Sequence, residues 1–291
     1  WLPHITYWNQ LTGRSKKTSM LIALILTTLA GLATVFGGFI GVHKSMERPG
    51  RLSVMLAFAA GAMLCVSFLD LAPAASDSLS TSFGTTAGAL ATIFSFACGA
   101  LIVYIIDKLL PCSNSVKCAM KEEKDCMRQC RRGGEGRTIK LLRNGIVIAV
   151  IMAIHNFPEG IVTFTGAMHD MSLWLSLAFA IALHNIPEGI SIASPIYAAT
   201  KDKFKAIKYT ILSALAEPLG ALVGYVLLIN AMPESMHGII FAATAGMMTY
   251  VSMSELLPSA RFHSTRRRQP YLGTSAGAGV MAVSLIVINI T

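Results

Sequence analysis

Two hexapeptides, HNFPEG at 155–160 and HNIPEG at 184–189, place histidine, asparagine and glutamate inside long apolar runs. His155 and Glu159 are four residues apart, as are His184 and Glu188. On a helix that spacing stacks imidazole and carboxylate one turn apart on one face. An imidazole nitrogen and a carboxylate so placed form half of a site for a divalent metal. Asn156 and Asn185 add amide oxygens next door. Pro158 and Pro187 supply no backbone N–H, which loosens the preceding turn and frees a carbonyl near residue 154 or 183. Backbone interrupted in this way is tolerated at membrane depth where it is buried in protein or lines a cavity.

The other acids outside the loops are few: Asp70, Glu217 and Glu255. A carboxylate at the middle of a spanning helix costs on the order of 2.5–3.5 kcal/mol. Glu159, Glu188 and Glu217 together would cost roughly 8–10 kcal/mol if left unpaired, and no Lys or Arg lies at their depth. Either they are protonated or they share cations that the chain does not encode. The histidines and amides around them favour shared cations. A polar network that merely pins helix packing would not need the hexapeptide twice. Glu217, in LAEPLGALVG, is again followed by proline. Asp70, in SFLDLAP, sits toward the outer end of its apolar run, and Glu255, in MSELLP, toward the inner end of its own. An outer acid, a central cluster and an inner acid make a cation route, and the Met63 thioether can add a softer ligand. The plainer readings are that Asp70 and Glu255 simply reach water and that Met63 fills core.

These residues need elements that hold them in oil. The 291-residue chain is 54% hydrophobic and 13% charged, with a mean hydropathy of +0.60. That composition excludes an ordinary soluble domain and predicts an all-α polytopic membrane protein. A spanning helix needs about 20 apolar residues. Eight runs qualify, at 20–42, 53–75, 85–106, 145–167, 172–197, 206–230, 237–258 and 272–290. They form one transmembrane domain over 1–291, with a variable insertion at 107–144 between the third and fourth helices. The net charge of +9 is concentrated in alternate connections: Lys44 to Arg51, Lys108 to Arg143, Lys201 to Lys208 and Arg261 to Arg268. Positive residues gather on the cytoplasmic side, so these loops face inward and both termini outward. The charge is therefore a topology signal and gives no footprint for nucleic acid. Only Arg14, Lys16 and Lys17 run against the pattern. The two hexapeptides then fall at mid-span on antiparallel neighbours, which predicts an inverted repeat about an axis in the membrane plane.

Other polar residues carry less. Cys65 and Cys98 lie inside apolar runs and read as packing. Cys112, Cys118, Cys126 and Cys130 fall in the inward insertion at spacings that match no standard zinc site. They read as part of a solvated loop, with a soft-metal trap as the alternative. His169 with Asp170, Glu234 with His237, and His43 read as surface or interfacial groups. The opening WLPHITYWNQ has no apolar core and is not a signal peptide as it stands. Its aromatic residues suit the outer membrane–water interface.

HNFPEG and HNIPEG on successive runs, followed by EPLGALVG, resemble the ZIP (Zrt-/Irt-like protein) family of divalent-metal transporters. Within it the chain is most similar to the bacterial broad-specificity zinc-uptake branch. The likeness runs from about residue 20 to 290 and takes in FAAGAML and SELLP. It implies eight spans with both ends outside a plasma (bacterial inner) membrane, a homodimer, and a two-ion site at mid-membrane. His155, Glu159, His184 and Glu188 would hold one ion with Met63 nearby. Asn156, Asn185 and Glu217 would complete the second, bridged by Glu159 and Glu188. Asp70 would guard the outer entrance and Glu255 the inner exit. Some relatives carry histidine before that glutamate, and this chain has Ser254. The cargo implied is Zn²⁺, with Fe²⁺, Mn²⁺, Co²⁺ and Cd²⁺ as further candidates, moved into the cytosol without a prosthetic group. An intramembrane metalloenzyme using the same ligands to activate water is the rival, although no separate nucleophile or base stands out.

Overall fold

Apolar segments with no partner for their backbone groups must satisfy them internally, and a helix does so within a single segment. A computed structural model describes residues 13–43, 49–109, 135–169, 174–229 and 233–290, and these contain helices and no strand. We label the helices α1 (Gly13–Gly41), α2 (Pro49–Val66, continuing to Phe83), α3 (Thr85–Leu109) and α4 (Glu135–His169). They are followed by α5 (Trp174–Thr200), α6 (Lys203–Ala214 and Ala216–Ile229), α7 (Glu234–Val251, continuing to Phe262) and α8 (Gln269–Ile290). Among the described residues, six of them (α1, α2, α3, α6, α7 and α8) are long and apolar enough to cross a membrane. The remaining two, α4 and α5, carry the hexapeptides. Cys112, Cys118, Cys126, Cys130 and Asp170 lie outside the described residues, as do the side chains of His169 and Glu234. Helix reaches Leu109 on one edge of the 107–144 segment and starts at Glu135 on the other.

The prolines act differently from one another. Helix α4 is continuous through Pro158, and α5 through Pro187. Helix α6 is interrupted at Leu215, one residue before the AEP segment. Pro218 cannot donate to the Ala214 carbonyl, so the ladder has a gap at that turn. In α2 and α7 the turn widens to a π-helix, at Ser67–Leu71 and Ser252–Leu256. Each π segment holds one of the off-centre acids, Asp70 or Glu255, and each is followed by proline at the second residue beyond. The sequences around them repeat: VSFLDLAP at 66–73 and VSMSELLP at 251–258 share V-S-x-x-(D/E)-L-x-P. Single π turns of this sort are frequent at functional sites because the extra residue re-aims side chains.

The helices pack as two groups. Helix α1 lies along α5, and α4 along α6 and α5; in the other group α2 lies along α8, and α7 along α3. Ala30 meets Asn185, Thr34 meets Gly189 and Gly41 meets Ala193, so α1 and α5 run in the same direction. The groups join chiefly where α2 crosses α5, through a core that includes Leu56, Met63, Met152, Ile192, Ile196 and Val251. Phe36, Phe94, Phe204 and Leu272 are exposed, while Thr34, Ser53 and Ser213 are buried. Polar inside and apolar outside suits a bilayer, where lipid replaces water as the surrounding solvent.

Backbone proximity sets the α1–α5 and α4–α6 contacts. A methyl at Gly189 would run into the Thr34 carbonyl, and one at Gly160 into the Glu217 carbonyl. Neither obstacle is a side chain that can swing away. Gly189→Ala is therefore expected to lower the thermal midpoint in detergent, because overpacking of this kind costs about 1–3 kcal/mol. An unchanged midpoint would mean that α1 can retreat without loss.

Candidate metal centre

The site is built where α4, α5 and α6 meet beside α1. Because α4 and α5 carry the same hexapeptide at the same depth, His155 of one helix faces Glu188 of the other. The His155 imidazole Nε2 lies 3.1 Å from Glu188 Oε1. It lies 3.9 Å from Glu159 Oε2, on its own helix face four residues on. His155 and Glu188 are fully buried and Glu159 is nearly so. One ligand atom from each of the three residues falls within 4.8 Å of the other two. Zinc holds nitrogen and oxygen ligands at about 2.0–2.2 Å, which sets ligands of a tetrahedral site roughly 3.4 Å apart. The two measured separations from Nε2 bracket that value. A terminal atom of the Asn156 amide adds to the cluster, 3.1 Å from His155 Nε2 and 3.3 Å from Glu188 Oε2. It also lies 2.9 Å from the Met152 carbonyl oxygen. Acceptors surround that atom, so it is the amide nitrogen and it donates there. The sequence pattern thus brings His155, Asn156, Glu159 and Glu188 together.

A second set of oxygens lies on the α6 side. The Asn185 amide Nδ2 donates to Glu217 Oε2 at 2.9 Å and to the Ala30 carbonyl of α1 at 3.0 Å. Both side chains are fully buried. Among the described residues, Asn185 Oδ1 and Glu217 Oε1 have no hydrogen-bond partner, and no Lys or Arg pairs with Glu217. Leaving a buried acceptor unsatisfied is expensive, on the order of 1–3 kcal/mol. Two such acceptors on hydrogen-bonded neighbours suit a cation.

The remaining predicted residues lie on α2, α5 and α7. The His184 side chain lies outside the described residues, although its backbone continues α5. Met63 is fully buried in the core where α2 meets α5. Asp70 is half-buried in the π turn of α2, and Glu255 is buried in the π turn of α7. The sequence reading passed over Asp107. This carboxylate ends the apolar run of α3, is buried, and accepts a hydrogen bond from the Tyr250 hydroxyl at 3.0 Å. Its other oxygen has no partner among the described residues. Its position one residue past the expected span hid it, although the Y-x-x-D spacing of Tyr104 and Asp107 puts it within the same helical run.

A helical membrane domain with carboxylates, amides and imidazole converging among its helices has the makings of a transporter of small cations. Comparison with known proteins gives the class a name. Residues 15–285 match the family model described as ZIP zinc transporter. A zinc transporter ZupT of Clostridium perfringens is 41% identical over 282 residues, covering 94% of this chain and 99% of the relative. Zinc transporters ZupT of Streptococcus mutans and Oceanobacillus iheyensis are 40% and 41% identical, over 92% and 93% of this chain and 98% and 99% of their own. The chain belongs to the ZIP zinc transporter family. It is an integral membrane transporter and not an enzyme, which disfavours the metalloenzyme alternative.

Proposed function

We propose that this protein carries Zn²⁺ across the bacterial inner membrane into the cytosol through a two-ion centre at mid-membrane. Fe²⁺, Mn²⁺, Co²⁺ and Cd²⁺ are further cargoes, because imidazole, carboxylate and amide ligands without thiolate suit borderline first-row ions. The observation that carries the reading is the convergence of His155, Glu159 and Glu188 from two copies of one motif. His155, Glu159, His184 and Glu188 hold the first ion, with Met63 near it. Asn156, Asn185 and Glu217 complete the second, bridged to the first by Glu159 and Glu188 and supported by the unpartnered oxygens of Asn185 and Glu217. Asp70 receives metal from outside and Glu255 releases it inward, each from a widened turn.

Eight spans, with both termini outside, follow from the charge alternation. An inverted repeat gains support from the paired hexapeptides and from the V-S-x-x-(D/E)-L-x-P pair on α2 and α7. Alternating exposure then comes from movement of the group α1, α4, α5 and α6 against α2, α3, α7 and α8. That division is favoured because the close glycine contacts pair helices within each group. The family resemblance favours a homodimer. Ligands must be deprotonated to bind metal, so uptake is faster at neutral than at acidic outside pH. The test is zinc entry into liposomes holding the purified protein and a trapped zinc-sensitive dye. Metal-dependent fluorescence above that of protein-free liposomes supports the reading. A rate equal to that of empty liposomes would refute it.

A further inference from the structure

We propose that helix α1, which contributes no side-chain ligand, is the positioning element of the second ion, acting through its Ala30 carbonyl and the bare backbone at Gly31. The inference rests on the two-ion reading above and concerns how one of its ligands is aimed.

An asparagine side chain offers one oxygen and two N–H groups, and only the oxygen can hold a cation. Which end faces the ion depends on what fixes the amide. Here both donor directions are committed, one to the Ala30 carbonyl at 3.0 Å and one to Glu217 Oε2 at 2.9 Å. The oxygen Oδ1 is consequently left as the sole free end, buried and without a partner among the described residues. The same bond from Asn185 turns the Glu217 carboxyl group, so that its Oε1 is also unpartnered.

The sequence of α1 keeps its carbonyl open for this purpose. Helical threonines usually return their hydroxyl to the carbonyl four residues back. Thr27, Thr28, Thr163, Thr165 and Thr210 all do so here. Thr34 would do so to Ala30, yet its hydroxyl is buried and has no partner among the described residues. Asn185 holds the Ala30 oxygen in its place. Gly31 completes the arrangement. A methyl there would come within 3.1 Å of Glu217 Oε2 and 3.2 Å of the Ala214 carbonyl that Pro218 leaves without its ladder donor. Glycine is what lets the Glu217 carboxyl group lie against α1.

The test counts ions. Purified protein is saturated with Zn²⁺, desalted, and assayed for metal per protomer, with calorimetric titration of each step. Wild type is expected to hold two ions. Asn185→Asp keeps an oxygen and adds charge but cannot donate to Ala30 or Glu217. It is expected to hold one ion, with the affinity of the retained step within about threefold of wild type. If Asn185 were only an oxygen ligand, aspartate would bind the dication at least as well, so two ions in this variant would overturn the proposal. Gly31→Ala is expected to weaken the second step roughly tenfold and to spare the first; two unchanged steps would overturn the role of Gly31. Thr34→Val leaves the Ala30 carbonyl open and is expected to hold two ions, whereas loss of one would make the hydroxyl a ligand and overturn this account of α1. One ion in wild type itself would instead refute the two-ion reading beneath it, whatever the variants do.

Discussion

Replacing His155 by alanine is expected to reduce zinc uptake into proteoliposomes on the order of a hundredfold or more, while Glu188→Ala does the same. The size follows from how few atoms make the first half of the centre. Nε2 of His155 is the point on which both glutamates converge, at 3.1 and 3.9 Å. Even residues that only orient a metal ligand usually cost 10- to 100-fold when removed, and His155 is placed to be a ligand itself. Its loss also leaves the Glu188 carboxyl group fully buried without its nearest neighbour, and breaking a buried pair costs about 3–5 kcal/mol. The two variants should therefore also be less stable than wild type without metal. Measuring uptake per folded molecule, with folded fraction taken from gel filtration, separates the two effects. Uptake within a few-fold of wild type in both variants would remove His155 and Glu188 from the path.

That prediction was available from 291 letters because the information is local. An imidazole and a carboxylate four residues apart share a helix face whatever the tertiary structure does, and the repetition of the hexapeptide supplied the second helix. The apolar runs were equally plain, since oil-facing helices are limited by length and composition. What could not be read is set by contacts distant in sequence. The bond from Asn185 to Ala30 joins residues 155 positions apart, and nothing in the apolar stretch around Ala30 advertises a carbonyl in use. Asp107 was hidden by a boundary, because helix α3 runs on to Leu109 past the expected end of the span. The π turns were missed because hydrophobic periodicity averages over one extra residue. In hindsight the repeated V-S-x-x-(D/E)-L-x-P signals them, but only once the structure shows the same irregularity at both copies. The prolines illustrate the limit well. Three follow or sit within the polar motifs at 158, 187 and 218, yet only near the third does the helix break.

Glu217→Gln should act in opposite directions on transport and on the stability of the metal-free protein. Glu217 is fully buried, has an unpartnered oxygen, and is paired with no Lys or Arg among the described residues. On the insertion scale a mid-membrane acid costs on the order of 2.5–3.5 kcal/mol, and glutamine keeps the shape and the oxygen that accepts from Asn185. Removing the acid is thus expected to raise the metal-free thermal midpoint by about 5 °C. The same change removes the charge that would hold the second ion, so uptake falls at least tenfold. The two halves meet in a single experiment. An ion present at 100 times its dissociation constant stabilises the folded protein by about 2.7 kcal/mol. Wild type should therefore gain more from added Zn²⁺ than the glutamine variant does, and the order of the two midpoints narrows or reverses as metal is added. A carboxylate kept where it destabilises the empty protein is one whose cost is offset by the cation it binds. Should the metal-free variant melt at or below wild type, Glu217 would have to be supported by the protein itself, and the case for a second ion beside Asn185 would lose its energetic basis.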